Sequence, residues 1–175
     1  MTLKINLRHV SFALTLLLLI CSGCGIYSFT GTTIPPDVKT ISIQNFENLT
    51  GEGPANLTQV VTNNFTDYYR RNTNLIVTQT EGDLQLEGQI VSFNYSPAAI
   101  QREGQNDIAG LNRLTLGMQV RFTNTKQPEK DFDQTFTISQ DFPQDLDITQ
   151  LSTLQIEQLS ERLVTDVFNK TVADW

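Results

Sequence analysis

Residues Arg113–Thr123, RLTLGMQVRFT, decide the fold. Leu114, Leu116, Met118, Val120 and Phe122 occupy alternate positions, and Arg113, Thr115, Gln119, Arg121 and Thr123 fill those between. A β-strand sends successive side chains to opposite faces, so this period of two predicts a strand with one apolar and one polar face. Downstream, Lys126-Gln127-Pro128-Glu129-Lys130 turns the chain back. Phe132, Phe136, Ile138 and Phe142 then repeat the alternation in a strand antiparallel to the first. Upstream lies a polar loop, Ala98–Gly110, and before it a long strand over Asp83–Tyr95. In that strand Leu84, Leu86 and Ile90 share one parity, while Val91, Phe93 and Tyr95 share the other. The change of phase predicts a bulge near Ile90-Val91.

Nearer the N-terminus, Val38–Phe46 (VKTISIQNF) and Leu75–Thr80 (LIVTQT) read as strands on their Val, Ile and Thr content. A helix separates them. Proline loses nothing at a first helical position, so Gly53-Pro54 marks its start. Leu57, Val60, Val61, Phe65, Tyr68 and Tyr69 form one apolar stripe at helical spacing, with Thr62 on the opposite side. Arg70 and Arg71 complement the negative end of the helix dipole, and Asn72-Thr73-Asn74 stops it. Strand, helix and strand in this order predict a parallel crossover. The last element is a helix whose stripe is Ile156, Leu159, Leu163, Val164, Val167 and Phe168, with Asp147 and Gln150 spaced as a capping box. Two amphipathic helices and about five strands predict an α+β fold: a two-layer sandwich in which a mixed sheet of four or five strands carries both helices on one face.

The first residues belong to another kind of segment. Lys4 and Arg8 precede an apolar run, Phe12–Cys21 (FALTLLLLIC), which is too short to span a bilayer as a helix and suits a secretory signal. The small residues Ser22 and Gly23 then precede Cys24, whereas cleavage before Cys21 would place Ile20 where a small side chain is needed. Cys21-Ser22-Gly23-Cys24 resembles a lipobox. The expected organisation is a signal peptide over 1–23, a lipidated tether over 24–37 and a single domain over 38–175. The Cys24 sulfur would carry a diacylglycerol and the new amine a further fatty acid such as palmitate. At ~0.8 kcal/mol per buried methylene, several chains make a permanent anchor.

Losing that leader narrows the chemistry. His9 is the one histidine, and Cys21 and Cys24 are the two cysteines. The remaining domain therefore lacks thiol nucleophiles, Ser-His-Asp triads and zinc sites built on His or Cys. Of 12 basic and 19 acidic residues, only Lys4 and Arg8 lie in the leader, so the rest carries a net charge of about −9. That argues against a nucleic-acid partner, which needs a basic face. Asp131 and Asp133 stand at i, i+2, and a solvated edge accounts for them better than acid–base chemistry. Asp141, Asp145 and Asp147 lack the glycine and closing glutamate of a calcium loop. Gly51-Glu52-Gly53 lacks the Lys-Ser/Thr of a phosphate loop. No catalytic residue, metal or cofactor is expected. Phe65 and the tyrosines of the first helix read as core, with a lipid-lined groove as the alternative. The candidate ligand-binding residues are Arg102, Arg113, Arg121, Lys126 and Lys130, because Arg and Lys bind phosphates and carboxylates; ordinary surface charge is the competing account.

The segments Cys24-Gly25-Ile26-Tyr27-Ser28-Phe29 and Ile34-Pro35-Pro36-Asp37-Val38-Lys39-Thr40-Ile41 resemble the LptE family of lipopolysaccharide-assembly lipoproteins. Gly82-Asp83-Leu84-Gln85-Leu86-Glu87-Gly88 and the C-terminal helix fit the same family. The resemblance implies a non-catalytic lipoprotein that plugs an LptD-type outer-membrane β-barrel, helps it fold and assists lipopolysaccharide delivery. It also implies two helices on a mixed sheet, contact with lipopolysaccharide through basic residues, and a place on the periplasmic side of the outer membrane, in keeping with glycine rather than aspartate at position 25. The alternative function is a periplasmic lipoprotein that carries a lipid or glycan.

Overall fold

A computed structural model describes residues 34–98 and 110–172. The expected signal peptide, Cys24, most of the expected tether and Arg102 lie outside the described residues. The elements, in order, are β1 (Thr40–Ile43), β2 (Glu47–Asn48), α1 (Leu57–Asn72), β3 (Ile76–Thr78), β4 (Leu84–Pro97), β5 (Leu111–Asn124), β6 (Phe132–Pro143) and α2 (Thr153–Val172). Short 3-10 turns at Pro128–Lys130 and Ile148–Gln150 precede β6 and α2. The sheet runs β3-β1-β4-β5-β6, and the two-residue β2 pairs with β4 beyond the end of β1. β1 is parallel to both β3 and β4, and β4, β5 and β6 are successively antiparallel. The fold is α+β with a mixed sheet and two helices, as the periodicity predicts.

The alternation in β5 fixes which way the sheet faces. Leu114, Leu116, Met118 and Val120 are fully buried, as are Ile41 on β1 and Leu86 and Ile90 on β4. Both helices add their stripes to this one cluster: Leu57, Val61, Phe65 and Tyr69 from α1, and Ile156, Leu159, Leu163, Val164, Val167 and Phe168 from α2. Each such burial is worth roughly 1.5–3 kcal/mol. The bulge lies where the parity changes: Ile90 pairs with Met118 but Ser92 with Gly117, leaving Val91 as the extra residue. That one insertion turns Phe93 back to the core face shared by Leu84 and Ile90.

Three readings of the helices differ from the structure. α1 starts at Leu57, not at Pro54. Gly53 has φ of +95°, and the Pro54 carbonyl accepts the Leu57 N–H in a turn, so helical geometry begins only beyond it. Thr62 is buried rather than outward, because its hydroxyl accepts the Phe46 N–H (3.0 Å) and donates to the Thr58 carbonyl (2.7 Å). The helix-start device of α2 is Ser152 with Gln155, not Asp147 with Gln150. Gln155 Oε1 accepts the Ser152 N–H (2.9 Å) and Ser152 Oγ accepts the Gln155 N–H (3.3 Å), a reciprocal capping box. Asp147 instead caps the preceding 3-10 turn through the Thr149 N–H.

The first strand is also shorter than its hydrophobic run, because Phe46 leaves the sheet and enters the core. Its ring stacks on Phe65 with centroids 4.6 Å apart and lies over Gly88 of β4, where a Cβ would collide with it.

Candidate functional site

Helices cover one face of the sheet; the other carries the polar half of each alternating strand. On β5 this face presents Arg113, Thr115, Gln119, Arg121 and Thr123, and on β6 Asp133, Thr135, Thr137, Ser139 and Asp141. Cross-strand register pairs these side chains directly. Arg113 donates through Nε and Nη2 to the two oxygens of Asp141, at 2.7 and 3.0 Å. The pairing holds the Asp141 carboxyl below the ordinary carboxylate range and raises the Arg113 guanidinium. Thr115 and Ser139 share a hydrogen bond of 2.8 Å. Arg121 lies between acids from both neighbouring strands: its Nε donates to Asp133 at 3.4 Å and its Nη1 stands 3.9 Å from Glu87.

Around Arg121 the face dips into a shallow groove of about 150 Å³. Gln44, Glu47, Glu87, Gln89, Gln119 and Asp133 line it. Gln44 donates to Glu87 (3.1 Å) and Gln119 to Asp133 (2.8 Å), so amides and carboxylates form a connected polar network. A second groove, of about 350 Å³, flanks α1 between Asn45-Phe46 and Thr58, Gln59, Thr62 and Asn63. Phe65 and Tyr69 do not reach it; both are fully buried. Burial raises the Tyr69 phenol well above its ordinary value, and its hydroxyl bonds to Thr171 of α2.

The candidate basic residues are spread out. Arg113 and Arg121 are eight residues apart on one strand, roughly 27 Å at the rise of a β-strand. Lys126 sits in the β5–β6 turn, 3.3 Å from Asp83. Lys130 ends the 3-10 turn that leads into β6 and lines a small crevice with Ile34, Val38 and Thr171. Arg121, Lys126 and Lys130 thus lie toward one end of the β5–β6 hairpin and Arg113 toward the other.

Asp131 and Asp133 do not act as a pair: Asp131 accepts the Asn124 N–H (2.7 Å), while Asp133 serves Gln119 and Arg121. Among the described residues no cluster of three or more His, Cys, Asp or Glu is arranged to hold a metal. No helix there is long and apolar enough to cross a membrane.

The residue that sequence reasoning missed is Asp83. Its Oδ2 accepts the N–H groups of Lys39 (2.9 Å) and Thr40 (3.1 Å) and the Thr40 hydroxyl (3.0 Å), clasping the start of β1 to the start of β4. The only sequence signal is an aspartate after Gly82, where a Cβ would strike the backbone of Ile41 and Ser42.

The family model for LptE, lipopolysaccharide-assembly, matches residues 38–171. No curated protein matches the chain. Among solved structures, hypothetical protein CT253 from Chlamydia trachomatis is similar at 10% identity, over 78% of this chain and 99% of that one, with a TM-score of 0.49. Protein XCC0632 from Xanthomonas campestris is similar at 14% identity over 78% of this chain and 87% of that one, with a TM-score of 0.48. A minor lipoprotein from Acinetobacter baumannii is 16% identical over 79% of this chain and 96% of that one, with a TM-score of 0.40.

Proposed function

From the premise that this chain belongs to the LptE family of lipopolysaccharide-assembly proteins, we propose that it is a non-catalytic, lipid-anchored plug and folding partner of an LptD-type outer-membrane β-barrel. Cys24 carries the anchor, the domain stands on the periplasmic side of the outer membrane, and the complex delivers lipopolysaccharide outward. The observation that carries this reading beyond family membership is the uncovered sheet face. It is built from Thr, Ser, Gln and internally paired charges. The lumen of a large outer-membrane barrel is itself polar, and a plug suited to it needs a polar outer wall rather than an apolar one.

Arg102, Arg113, Arg121, Lys126 and Lys130 are the proposed contacts with lipopolysaccharide phosphates. Arg113, Arg121 and Lys126 each face a carboxylate within 4 Å. Binding there exchanges one anion for another, and its affinity falls as salt rises.

The test is purification of the lipidated protein from membranes in mild detergent. The expected result is a stoichiometric complex with a large barrel, together with loss of surface lipopolysaccharide and of mature barrel when the protein is depleted. Recovery as a lone monomer, with normal lipopolysaccharide export after depletion, refutes the reading. Cys24→Ser is expected to leave the protein in the soluble periplasmic fraction; continued membrane attachment through acyl chains would refute the assigned anchor.

A further inference from the structure

The groove beside α1 is set apart by its lining. Its walls hold no charged side chain, and the one apolar side chain among them, Phe46, is buried. What remains are carboxamides and hydroxyls: Asn45, Gln59 and Asn63 with Thr58 and Thr62. The Thr62 hydroxyl is already engaged, since it accepts the Phe46 N–H (3.0 Å) and donates to the Thr58 carbonyl (2.7 Å). Those two bonds tie the β1–β2 connection to α1 and hold the two walls together. Asn45, Gln59 and Asn63, by contrast, are exposed, and among the described residues none of their side chains has a hydrogen-bond partner. Gln59 and Asn63 stand one helical turn apart, so their Cβ atoms lie about 5–6 Å apart on one face. Asn45 also lines the smaller groove, where Gln44 and Gln89 follow. Carboxamides therefore run from α1, round the β1–β2 connection, to the polar face of the sheet.

That lining selects the chemistry of an occupant. At about 350 Å³ the groove falls in the roughly 300–1,000 Å³ range of small-molecule sites, yet it lacks their usual apolar walls. An acyl chain gains nothing there, because only apolar contact would hold it. A phosphate or carboxylate meets no cation, and an ammonium group meets no carboxylate, so no charge-assisted bond forms. A peptide strand draws its selectivity from pockets for alternate side chains, and none is present. A carboxamide offers donors and an acceptor together, and a hydroxyl likewise donates and accepts. Side chains that do both match a neutral ligand whose polar atoms do both.

We propose that this groove binds an uncharged saccharide. Asn45, Gln59 and Asn63 bond the hydroxyls of one sugar residue, and Gln44 and Gln89 receive the next. The tie between Thr62 and Phe46 sets the walls in place beforehand, which lowers the ordering cost of binding. Nothing in this assignment rests on the barrel reading.

Two probes separate the sources of such a ligand. One is chitotriose, a trisaccharide of N-acetylglucosamine with the chemistry of cell-wall glycan; the other is the lipid-free polysaccharide released from lipopolysaccharide by mild acid. Each is titrated into the processed, lipidated full chain, in micelles of a detergent without a sugar headgroup, while the side-chain amide resonances of Asn45, Gln59 and Asn63 are followed. The expected result is a saturable shift at all three with at least one probe at millimolar concentration, and the tighter probe names the source. Gln59→Ala with Asn63→Ala is expected to weaken binding at least tenfold with no fall in the unfolding midpoint, alanine being the most favourable residue at exposed helical positions. Asn45→Asp keeps the side chain's size, replaces its donor with a charge and is expected to weaken binding at least tenfold, which covers the case in which the double variant fails to fold. The proposal is overturned if neither saccharide moves the three resonances, or if both variants bind like the parent. It is equally overturned if inorganic phosphate, decanoate or a glycine-serine peptide shifts the same side chains as strongly. Barrel capture is expected to be the same in parent and variants, so silent carboxamides leave the barrel reading standing, and failure to capture a barrel leaves this one standing.

Discussion

At Asp83 a single carboxylate ties together segments 43 and 44 residues apart in the chain. The Lys39 N–H, the Thr40 hydroxyl and N–H, and Lys126 all favour its charged form, and together they lower it to about 2 from an ordinary 3.8. The unfolded chain therefore binds this proton more readily than the folded one. The clasp contributes its full stability above about pH 4 and loses it as pH falls toward 2. Asp83→Asn is expected to lower the unfolding midpoint at pH 7 and to flatten its pH dependence between pH 4 and 2; urea titrations at both ends of that window check this, and a parallel decline in the two proteins would refute it. Gly88 makes a second residue-scale claim. The Phe46 ring occupies the space a Cβ would need. Gly88→Ala must displace that ring from its stack on Phe65, at a cost of about 1–3 kcal/mol, whereas an unchanged denaturation midpoint would mean the loop carrying Phe46 yields freely. Neither requirement is visible locally in the sequence, since both Asp83 and Gly88 meet their partners only after β1 has paired with β4.

The elements show more directly what pattern alone reveals. β5 was legible because a strand's period of two is short and its apolar face unbroken from Leu114 to Phe122. The bulge at Val91 was legible for the same reason, as a break in that period. Helix ends were read less well, because several spacings of Asp, Ser and Gln satisfy the capping rule and backbone geometry chooses among them. At α2 the choice is Ser152, with Asp147 holding the turn before it. Ser152→Ala is thus expected to cost about 1 kcal/mol, with weaker amide protection confined to the first turn of α2, and Asp147→Ala to leave that turn intact; hydrogen exchange separates the two. At the far end of α1 the Thr73 hydroxyl and N–H both donate to the Tyr69 carbonyl, and Asn72 donates to that of Tyr68. The polar run Asn72-Thr73-Asn74 therefore stops the helix by satisfying its last carbonyls.

At the scale of the domain the decisive feature, among the described residues, is a two-layer asymmetry: helices and core on one side of the sheet, a polar wall on the other. Leu163 of α2 is fully buried in the shared cluster, so Leu163→Ala is expected to cost about 2–5 kcal/mol and to lower capture of a barrel in proportion to the folded fraction. Arg113→Ala with Arg121→Ala should instead leave the unfolding midpoint nearly unchanged, exposed pairs being worth about 0–1 kcal/mol, while reducing retention of lipopolysaccharide; equal retention would remove these residues from the proposed site. Of the basic candidates, the sequence identified the side chains but not their company. That Arg121 stands between Glu87 and Asp133 depends on the register of three strands whose residues lie tens of positions apart. The order of the main strands and helices and the apolar stripe each one buries were determined by the sequence alone, because periodicity and residue type are properties of neighbours along the chain. Which carboxylate meets which guanidinium, which serine caps the last helix and where Phe46 rests were decided only by tertiary structure, because each depends on geometry that the order of residues along the chain does not fix.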